Sequence, residues 1–108
     1  MHMKSVAVAA LLAFVSAPLL AGEKNVEDMV ATCAACHGEK GVSTDPQYPH
    51  LAGQYTSFLE RALLDYKSGE RKNPIMAGQV ANLSKHDIKA IARYFSKQSG
   101  PLSVPPAE

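Results

Sequence analysis

Cys33-Ala34-Ala35-Cys36-His37 holds the only two cysteines of a 108-residue chain, one helical turn apart, with an imidazole directly after the second. Residues three and four apart on a helix share a face, so both thiols and the imidazole can meet one flat ligand. Two thiols at this spacing suit the two vinyl groups of haem, which they would hold as thioethers, and the next residue's ring can swing beneath the iron. This is the attachment pattern of c-type haem. Three other uses of the pair compete with it. A thioredoxin-like dithiol calls for a βαβ setting, and no such setting is visible. Structural zinc needs four ligands, and downstream of the motif only His50 and His86 remain to join it. The third is a plain Cys33–Cys36 disulfide.

The stretch ahead of it, MHMKSVAVAALLAFVSAPLLAG, has Lys4 near its start and an apolar run from Val6 to Val15, then Pro18 and the small residues Ala21 and Gly22. That pattern predicts a secretory signal peptide whose apolar part is too short to span a bilayer comfortably. An uncleaved anchor is the alternative. Cleavage near Ala21 divides the chain into a leader over 1–21, a domain over 22–99 and a Pro-rich tail over 100–108, and it places the domain in the periplasm. Lys4 is the one formal charge of the leader in a chain with 11 basic and 10 acidic side chains, so the exported part is balanced. Balance excludes nucleic acid as a partner, because that needs a basic surface to displace counterions. It also argues against strong binding to anionic membranes.

The overall hydrophobic share of 46% overstates the folded part, since much of it lies in the leader. A domain this small has a thin core and needs a staple, whether disulfides, a metal or a bound cofactor. Two cysteines do not make a disulfide scaffold. Three helical patterns stand out. The first runs from about Asn25 to Cys36, with Asn25 as N-cap and Val26, Met29, Val30 and Cys33 on one face. A second covers about Gly53 to Ser68, striped by Tyr55, Phe58, Leu59, Ala62, Leu63 and Tyr66 and stopped by Gly69. The third begins at Ser84, with Asp87 at the capping-box position, and carries Ile88, Ile91, Ala92 and Phe95 until Gly100-Pro101. No alternating strand is visible, so the fold class is all-α. The stretches Gly38–Ala52 and Glu70–Leu83 read as irregular. Loops of that length are usually functional, and both make sense wrapped around a large ligand.

Haem iron usually takes a sixth ligand from elsewhere in the chain. Met29 lies one turn before Cys33 on the same helix, so it cannot reach the opposite haem face and reads as core. His86, in the first turn of the last helix, reads as a solvated polar residue. His50 follows His37 too soon to cross easily to the far side. Met76 lies inside the second long stretch, in Asn73-Pro74-Ile75-Met76, where Pro74 stiffens the approach and removes a backbone donor. It is the favoured ligand, against the alternative of an ordinary apolar loop anchor. Lys40, Arg71 and Lys72 frame a docking face, meet a haem propionate or are simply solvated. Asn73 bonds a propionate or backbone. Tyr48, Gln54 and Tyr55 are candidates for the cofactor pocket.

In combination, CAACHGEKG (33–41), YPHLAGQY (48–55), RKNPIMAG (71–78) and the closing amphipathic helix resemble a class I cytochrome c. The likeness is to small bacterial single-haem proteins similar to one half of the dihaem cytochrome c-four family; the second haem unit of that family is absent here. The resemblance implies three to four helices and long loops around one covalent haem c held through Cys33 and Cys36. It also implies His37 and Met76 as axial ligands. By the same pattern the Pro49 carbonyl and the Leu51 side chain lie against the proximal histidine, although Pro49 could simply shape a turn. Tyr94 and Phe95 would supply the aromatic contact where the first and last helices cross.

With both axial positions filled, the implied function is one-electron carriage by a non-enzyme. Its transient partners would be an upstream dehydrogenase or quinol-oxidising complex and a downstream oxidase or reductase. A haem subunit of a larger respiratory or flavoprotein dehydrogenase complex is the alternative, and a haem sensor or peroxidase a more distant one. Net neutrality suggests an uncharged docking patch around Val42, Ile75 and Ala77.

Overall fold

The computed structural model describes residues 24–102 and, ahead of them, positions 3, 5, 7 and 9–12. The expected cleavage point at Ala21 and the tail beyond Leu102 therefore lie outside the described residues. Four α-helices make up the domain, and among the described residues there is no strand. Nor is any described helix long and apolar enough to cross a membrane.

Each helix begins where its sequence supplies an oxygen for the orphan amides of the first turn, with one exception. α1 (Val26–His37) starts after Asn25, whose side chain accepts the Glu27 N–H at 2.8 Å, with Glu27 and Asp28 facing the positive helix end. It ends at Gly38, and a short 3₁₀ turn follows over Glu39–Gly41. α2 (Thr56–Ser68) is the exception, with no side-chain cap at Tyr55. It starts three residues later than the apolar stripe suggests. The Gly53 N–H is bonded to the Phe95 carbonyl of the last helix at 3.0 Å, and the Gln54 N–H to Leu51 at 3.2 Å. One tertiary bond and one local turn bond thus claim the residues that would form the first turn. Gly69 closes α2 in the left-handed conformation, with φ 86°.

The stretch Glu70–Leu83 is not irregular throughout. α3 (Pro74–Val80) occupies its centre. Asn73 Oδ1 accepts the N–H groups of both Ile75 (3.0 Å) and Met76 (3.1 Å). Pro74 stands at the first helical position, where its fixed φ suits the helix and its missing N–H is no loss. Pro74, which suggested a stiff loop, in fact opens a short helix that Asn73 caps.

α4 (Lys85–Ser96) opens with the expected capping box: Ser84 Oγ accepts the Asp87 N–H at 3.0 Å, and Asp87 Oδ2 accepts the Ser84 N–H at 2.8 Å. It ends at Ser96, short of Gly100. Ile88, Ile91, Ala92 and Phe95 are all buried. α4 crosses both α1 and α2, and Met29, Val30, Leu59, Ile91, Ala92 and Phe95 form the core at that crossing. Tyr94 packs against this core, its ring edge-on to Phe95 at 5.1 Å between centroids. α3 rests on α2. Two lysines hold the connector behind α3: Lys24 Nζ donates to the Asn82 carbonyl and Lys67 Nζ to the Leu83 carbonyl. Lys24 also lies 3.8 Å from Asp87 Oδ2.

Candidate haem site

The last turns of α1 aim Cys33, Cys36 and His37 at a single cavity of about 620 Å³. α2 walls it with Phe58, Leu59, Ala62, Leu63 and Tyr66, and α4 adds Ile91, Ala92 and Phe95. From α3 come Ile75, Met76 and Gln79. Both cysteines are free thiols; Cys33 is half-buried and Cys36 exposed. Burial pushes the Cys33 thiol up from its ordinary value, as expected for a group whose charged form loses water.

His37 is buried, only 8% exposed, and its Nδ1 lies 2.9 Å from the Pro49 carbonyl. A carbonyl oxygen only accepts, so Nδ1 must carry the proton. Neutral imidazole then has its lone pair on Nε2, the nitrogen left available to a metal. Tyr48 meets the ring at 6.1 Å between centroids, at 64°. Pro49 is presented by a loop with three further hydrogen bonds: the Ser43 N–H donates to His50 Nδ1 at 2.9 Å, and the Leu51 and Ala52 amides donate to the Gly41 carbonyl at 2.8 and 3.1 Å. Leu51 lines the cavity. Cys33, Cys36, His37, Pro49, Leu51 and Met76 thus converge on one space although they come from three separate stretches of the sequence.

Other candidates divide. Tyr48, Gln54, Arg71 and Asn73 line the cavity, and the Arg71 guanidinium lies 5.0 Å over the Tyr66 ring. Tyr55 does not line it, being spent at the start of α2 and half exposed. Of the apolar residues expected at a docking patch, Ile75 alone reaches the cavity, at 67% exposure. Met29 is core, and His86 is exposed. The sequence marks the α2 stripe without saying what it covers, and most of it faces the cavity. Its length, from Phe58 to Tyr66 on one face, is the signal that could have shown this, since so small a domain has no second helix layer to cover it.

The donor set suits a flat, iron-bearing organic group bonded through sulfur. Two thiols share one helical turn, an imidazole has its free nitrogen fixed by a hydrogen bond, and a thioether lines the same mostly apolar space. That volume falls in the range of small-molecule and cofactor sites. Among the described residues there is no cluster of three or more His, Cys, Asp or Glu side chains suited to a bare metal ion.

The family profile described as cytochrome c oxidase, cbb3-type, subunit III matches residues 18–95. The chain belongs to the cytochrome c family. Among relatives of this cytochrome, cytochrome c-554(548) of Halomonas halodenitrificans is 41% identical over 75 residues, covering 67% of this chain and 90% of the relative. Cytochrome c-553 of Helicobacter pylori is 41% identical over 97 residues, 86% of this chain and 96% of the relative. Cytochrome c4 of Pseudomonas aeruginosa is 44% identical over 68 residues, which are 63% of this chain but only 34% of the relative. This cytochrome therefore spans about a third of the c4 protein and nearly all of the two smaller ones. It is a small class I cytochrome c with an all-α fold, its cofactor is covalently bound haem c, and its function is electron transfer.

Proposed function

We propose that this cytochrome is an exported, periplasmic one-electron carrier in which Cys33 and Cys36 anchor haem c and His37 and Met76 supply the two axial ligands. The observation that carries the reading is the His37 Nδ1–Pro49 carbonyl bond, which leaves Nε2 free in a cavity that Met76 also lines. When bound, the haem supplies a single electron exchanged between ferrous and ferric iron.

The chain's own residues set how readily that exchange occurs. The Pro49 carbonyl fixes the tautomer of His37 and makes its ring a better electron donor. With Met76 and His37 as its ligands, the bound group would favour the reduced state and have a raised potential. Asn73 holds Met76 in place by capping the helix that carries it. Leu51, Leu59, Leu63 and Phe95, which line the cavity, would keep water from the bound group and limit reorganisation. With two protein ligands no position is open to a substrate, so the chain acts as a carrier and not as an enzyme. Residues 1–21 act as the export leader, 22–99 as the electron-transfer domain and 100–108 as a Pro-rich tail. Partners are redox proteins, an upstream dehydrogenase or quinol-oxidising complex and a downstream oxidase or reductase, met through small transient interfaces.

The intact mass and the reduced-minus-oxidised spectrum of the periplasmic protein test the proposal together. The expected mass is that of a chain shortened by its leader and enlarged by one haem. A mass equal to the amino acids alone overturns the reading. Met76→Ala is expected to keep the haem attached, lower the potential and let the ferrous form bind carbon monoxide. An unchanged potential points to another ligand.

A further inference from the structure

We infer that His50 is a positioning residue for the axial imidazole, acting on the reduction potential through the Pro49 carbonyl that His37 bonds. The inference rests on the proposed role of His37 as iron ligand and adds to it a residue that touches neither His37 nor the cavity's sulfur donors in any hydrogen bond.

His50 is half-buried, and its Nδ1 accepts the Ser43 N–H at 2.9 Å. The neutral ring must therefore carry its proton on Nε2. A proton added to Nδ1 would face the Ser43 N–H donor directly, so the imidazolium and this bond cannot coexist. The Pro49 carbonyl and the His50 amide belong to one planar peptide unit. The His50 side chain, tied to Ser43, fixes one side of that plane, and the Leu51 N–H, tied to Gly41, fixes the next. Pro49 itself has no N–H with which to add a tie. The same carbonyl accepts from His37. A two-bond relay thus runs from the Ser43 amide, through the 49–50 peptide, to the imidazole under the iron.

The rest of the segment is wound on Asp45 instead. Ser43 Oγ donates to the Asp45 carbonyl, the Tyr48 N–H donates to the same carbonyl, and the Gln47 N–H takes the Asp45 carboxylate at 2.9 Å. None of these bonds holds Pro49. Asp45 and Tyr48 share a small surface hollow with His50, and on the cavity side stand His37, Tyr48 and Arg71. Among the described residues no carboxylate forms an ion pair with His50.

Loss of the Ser43 bond loosens the Pro49 carbonyl, which makes His37 a weaker electron donor and so disfavours the ferric state.

The test compares wild-type holoprotein with His50→Asn and His50→Leu, measuring midpoint potential and solvent exchange of the His37 Nδ1 proton by NMR in the ferrous form. Asn offers Oδ1 as the acceptor for Ser43. His50→Asn is expected to match the wild-type potential and exchange. His50→Leu is expected to raise the potential and speed exchange of the His37 proton. His50→Leu with wild-type potential and exchange overturns the inference. So does His50→Asn that behaves as His50→Leu does, since the acceptor would then not be what positions the carbonyl. Wild-type ferric protein lacking a low-spin, six-coordinate spectrum removes the earlier reading of His37 and Met76 and takes this one with it.

Discussion

Gly41 shows how much one residue fixes in this molecule. Its φ of 80° lies in the left-handed region, and a Cβ added there would stand 2.7 Å from Phe95 Cδ1, 2.9 Å from the Ala52 nitrogen and 3.0 Å from Leu51 Cβ. The same residue's carbonyl receives the Leu51 and Ala52 amides. Gly41→Ala is therefore expected to cost about 2–4 kcal/mol, from backbone strain plus overpacking, read as a lower denaturant midpoint of the holoprotein. Gly69→Ala is the control: φ is 86° but nothing lies within 4 Å, so it should cost only about 1 kcal/mol. An equal loss in both variants would contradict the packing argument. At this scale the sequence was readable where chemistry is contiguous. Cys33, Cys36 and His37 announce themselves because one helical turn brings them together. The placement of Pro49 against His37 came from resemblance to known proteins, since a carbonyl leaves no mark in a residue's identity. The Ser43–His50 bond was illegible because it depends on how a loop closes, and no periodicity encodes that.

At the scale of elements, caps decided what could be read. Ser84 with Asp87 forms the box that its spacing predicts, whereas α3 escaped notice because seven residues are too few to establish a 3.6-residue period. Asn73-Pro74 held the signal as a cap followed by a proline at the first helical position. The box at α4 also carries a pH dependence. The Asp87 carboxyl is held below its usual value, chiefly by the Ser84 N–H it accepts, with the Ser84 hydroxyl, Lys24 and His86 adding to this and burial opposing it. A carboxylate whose folded value is depressed stabilises the fold above its unfolded value, about 3.9, and loses that contribution as pH falls through the folded value. Asp87→Asn should thus melt lower than wild type at pH 7, and the gap should close below about pH 4. A gap that stays constant down to pH 2.5 would show that the charge is not what matters.

For the whole molecule, the all-α class was legible from three amphipathic stripes, and the cofactor from one pentapeptide. The cavity itself was not, because a stripe facing a ligand and a stripe facing a core use the same residues. The consequence is a domain whose centre is shared between a six-residue apolar cluster and the haem. Without that group, Phe58 and Leu63 have little to pack on, and burial is the main force holding a domain of this size. The double change Cys33→Ala with Cys36→Ala is expected to leave little folded protein and no cooperative melt. A sharp, native-like transition in the haem-free variant would contradict this.

Both thiols also sit on a single turn of α1. A graft there joins no distant parts of the chain, so unlike a long-range crosslink it leaves the denatured polypeptide's freedom almost untouched. Its gain lies elsewhere. A chain that opens by heat or by local fluctuation keeps its pigment as a pendant on one helix, and closing again is a unimolecular event that dilution does not slow.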